Sequence, residues 1–153
     1  MNLVVILTDD QRFDTLSKMP NVVALAARGV TFTNAYVPTP MCAVTRASMF
    51  SGGYLAQNTG VLANELPDGG VKLFNDQDNM GTVLQSAGYK TLFAGKWENG
   101  YESAGLYIPP GWSSFVGRGS FATITSWSYF KYIIGSSTQT SGKGTRVSSG
   151  QYT

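Results

Sequence analysis

Residues 2–10 read NLVVILTDD, and this stretch decides the fold. Leu3–Leu7 is a continuous apolar run, rich in β-branched side chains and halted by Thr8, Asp9 and Asp10. A short run that is apolar on both alternating faces suits a parallel strand buried on both sides. A strand with no lead-in predicts that the chain begins inside a larger mature protein. Outward from it, Pro20–Arg28 turns to a helical pattern, with Pro20 in the first turn and Gly29 as the C-cap. Val30–Tyr36 alternates apolar and polar residues, as a half-buried strand does. Ala43–Phe50 predicts a second helix, ended by Ser51, Gly52 and Gly53. Residues 54–79 read as irregular, with a turn at Pro67–Gly70. Met80–Ala87 predicts a third helix closed by Gly88, and Tyr89–Ala94 a third strand. Strands alternating with helices predict an α/β sheet.

Composition narrows the function. At 153 residues the chain is long enough for one domain with a real core. Net charge is +2, and the basic residues form no run, which gives no footprint for nucleic acid or an anionic membrane. No stretch is long and apolar enough to predict a transmembrane segment. The opening residues lack the basic region and small-residue cleavage site of a signal peptide. The count of histidines is 0, so no Ser-His-Asp triad or histidine zinc site is built from this sequence. A single cysteine makes no internal disulfide. Aromatics and glycines dominate residues 101–130, where Pro109, Pro110 and Gly111 force a turn. Residues 135–153 are mostly Ser, Thr and Gly and predict a flexible segment, which divides the chain into 1–134 and 135–153.

Three places carry chemistry. Asp9 and Asp10 follow the first strand, and ligands of open parallel sheets collect beyond strand carboxyl ends. Their hard oxygens suit Ca²⁺ or Mg²⁺, although a bare Asp-Asp pair also fits a helix N-cap or Asx-turn. Cys42 lies in PMCAVTRASMFSG (residues 40–52), four residues before Arg46 at the start of a predicted helix. A cation and a helix N-terminus both stabilise negative charge at such a site; the alternative is a small buried hydrophobe. Lys96 lies in GKWENGY (residues 95–101), which this reading places just after the third strand. There it reaches an anionic oxygen or is simply solvated. Trp97 and Trp112 read as packing residues, and Glu98 as an acid-base group or, more commonly for a loop glutamate, a solvated one.

Together these segments resemble the N-terminal part of a type I sulfatase, in the alkaline phosphatase-like superfamily. NLVVILTDDQ resembles the opening strand and metal-binding aspartates of that family. The stretch from PNVVALAARG through PTPMCAVTRASMFSGGY resembles the helix, strand and signature that follow. FAGKWENGY resembles its lysine motif, and YIPPGWSSFVG a segment of the glucosamine-6-sulfatase branch. The resemblance implies a truncated, partial alkaline phosphatase-like sheet, mostly parallel, with flanking helices. It implies sulfuric ester hydrolysis in which Cys42 is converted to formylglycine by the formylglycine-generating enzyme. The formylglycine hydrate then attacks the sulfur of a sulfated carbohydrate or aryl sulfate. Carried over, Asp9, Asp10 and the modified Cys42 hold the divalent cation, usually calcium. Arg46 steadies the nucleophile, Lys96 stabilises sulfate oxygens, and Asn99 contacts substrate. The family also implies a secreted or lysosomal location.

Two positions depart from the pattern. Thr45 replaces a serine and keeps the hydroxyl. Val44 stands where the family has Pro or Ala, in the stretch that the modifying enzyme reads. The family's remaining metal ligands, histidine and second lysine have no counterpart here, so the reading predicts that these residues alone are inactive. Two alternatives stay open: an inactive sulfatase-like fragment or pseudoenzyme, and a phosphatase or phosphodiesterase of the same superfamily.

Overall fold

The computed structural model describes residues 1–53, 56–101, 104, 107–120, 131–135 and 145–148; at 56, 57, 118–120, 131–135 and 145–148 it describes the backbone only. The chain divides into two compact units, Met1–Tyr36 and Val37–Thr153.

The first unit carries a 3₁₀ turn at Phe13–Lys18 and helix α1, Pro20–Ala26. Proline begins α1 because its fixed φ suits a helix start and its missing N–H has no partner to lose there. The helix stops short of the predicted Arg28. Arg28 and Gly29 instead continue it by tighter bonds, to the carbonyls of Leu25 and Ala26. Neither predicted strand forms. Leu3–Leu7 lies outside the sheet with side chains 53–82% exposed, and Val30–Tyr36 is irregular. The reason is physical: a parallel strand is held by neighbours on both edges and cover on both faces, and no local feature supplies them. No residue of this unit is buried.

The second unit holds the core. Helix α2, Cys42–Ser51, turns Ala43, Val44, Ala47 and Phe50 inward at helical spacing. It ends at Gly52, whose φ of 71° is the left-handed conformation that a side chain resists. Helix α3 is Ala56–Thr59, and α4 is Met80–Ser86. Asn79 starts α4 with a capping box: its Oδ1 accepts from the Gly81 and Thr82 amides, and Thr82 Oγ1 accepts from the Asn79 amide. The Asn79 Nδ2 also donates to the carbonyls of Asp76 at 2.6 Å and Pro110 at 3.2 Å, tying α4 to the Pro-Pro-Gly turn. That contact is close. A Cβ on Gly111, whose φ is 88°, would sit 2.2 Å from the Thr82 nitrogen. Asn79→Ala should therefore cost about 2 kcal/mol, the upper end for losing a cap, because it also removes the donor to two part-buried carbonyls. Urea unfolding checks it, and a loss under about 0.5 kcal/mol would refute the assignment.

A four-stranded sheet completes the unit in the order β1-β2-β3-β4: Leu92–Asn99, Ser114–Ser120, Lys131–Gly135 and Thr145–Ser148. β1 and β2 run parallel, while β2–β3 and β3–β4 are antiparallel. The partial α/β sheet is as expected, but its parallel character is confined to one ladder. Chain length explains this. Residues 100–113 reach the dozen or so that a parallel crossover needs, and the connections at 121–130 and 136–144 fall short. Of the predicted flexible segment, the described residues are Gly135 and β4.

Trp97 sits at the centre of the core, 0% exposed. Phe50 stacks on it with ring centroids 4.5 Å apart, and Phe74, Phe93, Trp112 and Phe115 surround it at 5.2–6.1 Å. Trp97 and Trp112 are thus packing residues, as their setting in the sequence suggested.

Candidate functional site

The site begins at α2. Met41 is its N-cap, in extended conformation and without a side-chain cap of its own. A distant side chain substitutes: Asn64 Oδ1 accepts from the Ala43 amide at 3.0 Å. Thr45 Oγ1 donates to the Thr39 carbonyl and fixes the loop that leads in. Cys42 is half-buried at the first position of the helix. Val44, the departure from the signature, is 0% exposed and belongs to the core.

Arg46 lies one turn after Cys42, so the two share a helix face. It is 5% exposed. Its Nε donates to the Trp97 carbonyl at 2.5 Å and its Nη2 to Asn99 Oδ1 at 2.6 Å. Asn99 in turn donates from Nδ2 to Glu65 Oε1 at 3.2 Å. Both ends of the Asn99 amide are thus engaged by the protein, and the guanidinium faces β1. This clamp couples the helix that carries Cys42 to the strand that carries Lys96.

β1 differs from expectation in a way that matters. The strand begins at Leu92 rather than Tyr89 and runs on through Asn99. Lys96 is therefore within the strand, half-buried, with Arg118 of β2 as its register partner. Pairing with β2 sustains the strand beyond Ala94, where the sequence reading ended it. Beyond Lys96 the register slips: Lys96 pairs with Arg118, but Asn99 pairs with Ser120. Three steps on β1 oppose two on β2, and the extra residue breaks the alternation of faces. Trp97, Glu98 and Asn99 are consequently all buried.

Glu98 corrects the solvated reading of its position. It is 0% exposed rather than solvated, and among the described residues no side chain hydrogen-bonds its carboxyl oxygens. Burial pushes its carboxyl up from the ordinary 4.5 to about 8; the charges of Arg46 and Lys96 and a backbone bond at Asn99 pull it down only in part. A strand continuing past Gly95 was the signal that could have revealed it.

Asp9 and Asp10 belong to the first unit, where both are exposed at a bend. Asp10 has a φ of 50°, a left-handed conformation that Asp tolerates better than most residues. The bend matches the turn reading of the pair and leaves both carboxylates accessible.

Comparison with known proteins decides the family. The sulfatase family model matches residues 1–145. The chain belongs to the sulfatase family. It is 34% identical over 137 residues to the extracellular sulfatase SULF-1 homolog of Drosophila melanogaster, covering 87% of this chain and 12% of that protein. Human arylsulfatase A is 34% identical over 128 residues, covering 76% of this chain and 25% of its own. Human N-acetylglucosamine-6-sulfatase is 32% identical over 145 residues, with coverage of 87% and 25%. This sulfatase chain therefore spans a quarter or less of these relatives. No solved structure matches. The mixed helices and strands, with a parallel β1–β2 pair, are a partial form of the alkaline phosphatase-like fold. Among the described residues, no helix is long and apolar enough to cross a membrane.

Proposed function

We propose that this chain forms the nucleophile-bearing part of a sulfuric ester hydrolase acting on sulfated sugars or aryl sulfates. The observation that carries the reading is the Arg46 clamp, which ties Cys42's helix to Lys96's strand within one unit. The names of the relatives supply the reaction class. Residues 1–134 are the N-terminal part of the catalytic domain in this reading, and 135–153 a separate polar segment.

Cys42 is the precursor of the nucleophile. Half-buried at a helix N-terminus, it sits where backbone N–H groups and the helix dipole favour negative charge. Asp9 and Asp10 are the proposed cation ligands, and their exposed hard oxygens fit Ca²⁺ or Mg²⁺. When present, the cation supplies Lewis-acid polarisation of a sulfate oxygen, and oxidised Cys42 supplies the hydroxyl nucleophile. Lys96 stabilises negative charge on the sulfate oxygens from a fixed position in β1. Arg46 orients the two elements, and Asn99 holds Arg46. Direct contact between Asn99 and substrate requires its bond to Glu65 to open.

The test is the mass of the Cys42 peptide after coexpression with the formylglycine-generating enzyme. The expected result is a peptide lighter than its thiol form, absent in Cys42→Ala. Recovery of the intact thiol alone would defeat the catalytic reading and favour the inactive-fragment alternative.

A further inference from the structure

The GKWENGY motif carries a second chemistry at its Asn99–Gly100 step, where asparagine is followed by glycine as nowhere else in the chain. Glycine has no Cβ to crowd its own nitrogen, so that nitrogen is well placed to close on the preceding side-chain amide. The fold opposes this closure from several sides. Asn99 is 3% exposed. Its Oδ1 accepts from Arg46 Nη2 at 2.6 Å, and its Nδ2 donates to Glu65 Oε1 at 3.2 Å. The Asn99 carbonyl accepts from the Val71 amide at 2.8 Å. Asn99 is also the last residue of β1, in register with Ser120 of β2. Extended backbone holds the next amide off the line of attack on Cγ, and the engaged side chain is not free to turn towards it. These restraints come from α2, β2 and the 65–71 segment, so they exist only while the tertiary contacts hold. Glu65 is exposed, which makes its bond the outermost of them.

We infer that Asn99–Gly100 is a deamidation site kept closed by the Arg46–Asn99–Glu65 clamp, so that opening of the clamp commits Asn99 to a carboxylate. The co-reactant is water, and the inference does not depend on the sulfuric ester reaction.

The chemistry needs no oxidant or reductant. The Gly100 nitrogen gives up its proton to solvent and forms a bond to Asn99 Cγ. The Cγ–Nδ2 bond breaks, and Nδ2 leaves as ammonia after taking a proton from solvent. Water then opens the cyclic imide at either of its carbonyls, giving aspartate or isoaspartate at position 99. One water is consumed for each ammonia released. Either product keeps an acceptor for Arg46 but has no N–H to offer Glu65, and it sets a second carboxylate against the first. Isoaspartate also adds a methylene to the backbone at the end of β1. The connection from α2 through Asn99 to Glu65 is thereby lost for good, and the product records that the clamp has opened.

The experiment incubates the full chain in H₂¹⁸O, folded or in urea at the same pH, and then digests it with trypsin in ordinary water. Cleavage after Lys96 and Arg118 gives a peptide whose one asparagine is Asn99, and ¹⁸O in its mass marks conversion before digestion. Folded wild type should convert about a hundredfold more slowly than the unfolded chain, the factor for two hydrogen bonds to charged partners. Glu65→Ala, at an exposed position, should speed conversion in the folded chain about fivefold, and Glu65→Gln, which keeps an acceptor, should restore most of the protection. Equal rates in folded and unfolded wild type would overturn the inference. So would an unfolded chain that keeps Asn99 intact, or a folded Glu65→Ala chain that converts no faster than wild type. The comparison of folded with unfolded wild type needs no variant to fold.

Discussion

Arg46→Ala should destabilise the chain by about 3–5 kcal/mol, the range for removing one member of a buried charged network. The guanidinium is 5% exposed and satisfies the Trp97 carbonyl and the Asn99 side chain at once. Its loss leaves two buried acceptors without a donor, each costing about 1–3 kcal/mol. It also removes the largest favourable charge acting on Glu98. Arg46→Lys should recover only part of the loss, because a single ammonium cannot reproduce the planar fork that meets both acceptors. Arg46→Met, which restores volume without donors, should resemble alanine more than lysine. The Trp97 ring reports unfolding, so urea titrations followed by tryptophan fluorescence give all three values. A loss below about 1 kcal/mol for alanine would show that the clamp adds little beyond a surface ion pair.

That prediction is one that the sequence could not have made. The spacing of Cys42 and Arg46 was legible because helix geometry alone puts residues four apart on one face. The direction in which Arg46 points was not, because its partners lie 51 and 53 residues away in sequence. The same division runs through the fold. Helices α2 and α4 emerged close to their predicted limits, since caps and apolar spacing are local signals. Leu3–Leu7 has a strand's composition but forms none, because a strand depends on distant neighbours for its hydrogen bonds. β1 was begun too early and ended too soon for a related reason: its limits are set by pairing with β2. Val44 shows the reverse case. Read as a departure from a signature, it is in the structure a core side chain that packs at 0% exposure.

Burial of Glu98 also makes stability depend on pH, with a sign opposite to that of a salt-bridged carboxylate. In the unfolded chain this carboxyl ionises near its ordinary 4.5, whereas in the folded chain burial holds the proton to about 8. Between those values the folded state carries a proton that the unfolded state has released. Its contribution is fully present below about 4.5 and is lost as pH rises through about 8. The limiting slope is about 1.4 kcal/mol per pH unit, so the loss across the window amounts to several kcal/mol. Asp76 is also raised, by burial against the opposing bond from Gln77, and adds a loss of the same sign nearer its ordinary range. Tyr101, raised by burial and by the charge of Asp76, weakens the fold only above its ordinary 10. Glu98→Gln separates these contributions. Its unpaired amide carries a cost that does not vary with pH, so the slope, not the absolute stability, is the readout. Urea midpoints from pH 5 to pH 8 should fall steeply for wild type and stay nearly level for Glu98→Gln, with the curves converging or crossing towards pH 8. Parallel profiles would mean that the Glu98 carboxyl ionises in the folded chain as readily as in the unfolded one, and that another group or a water molecule satisfies it.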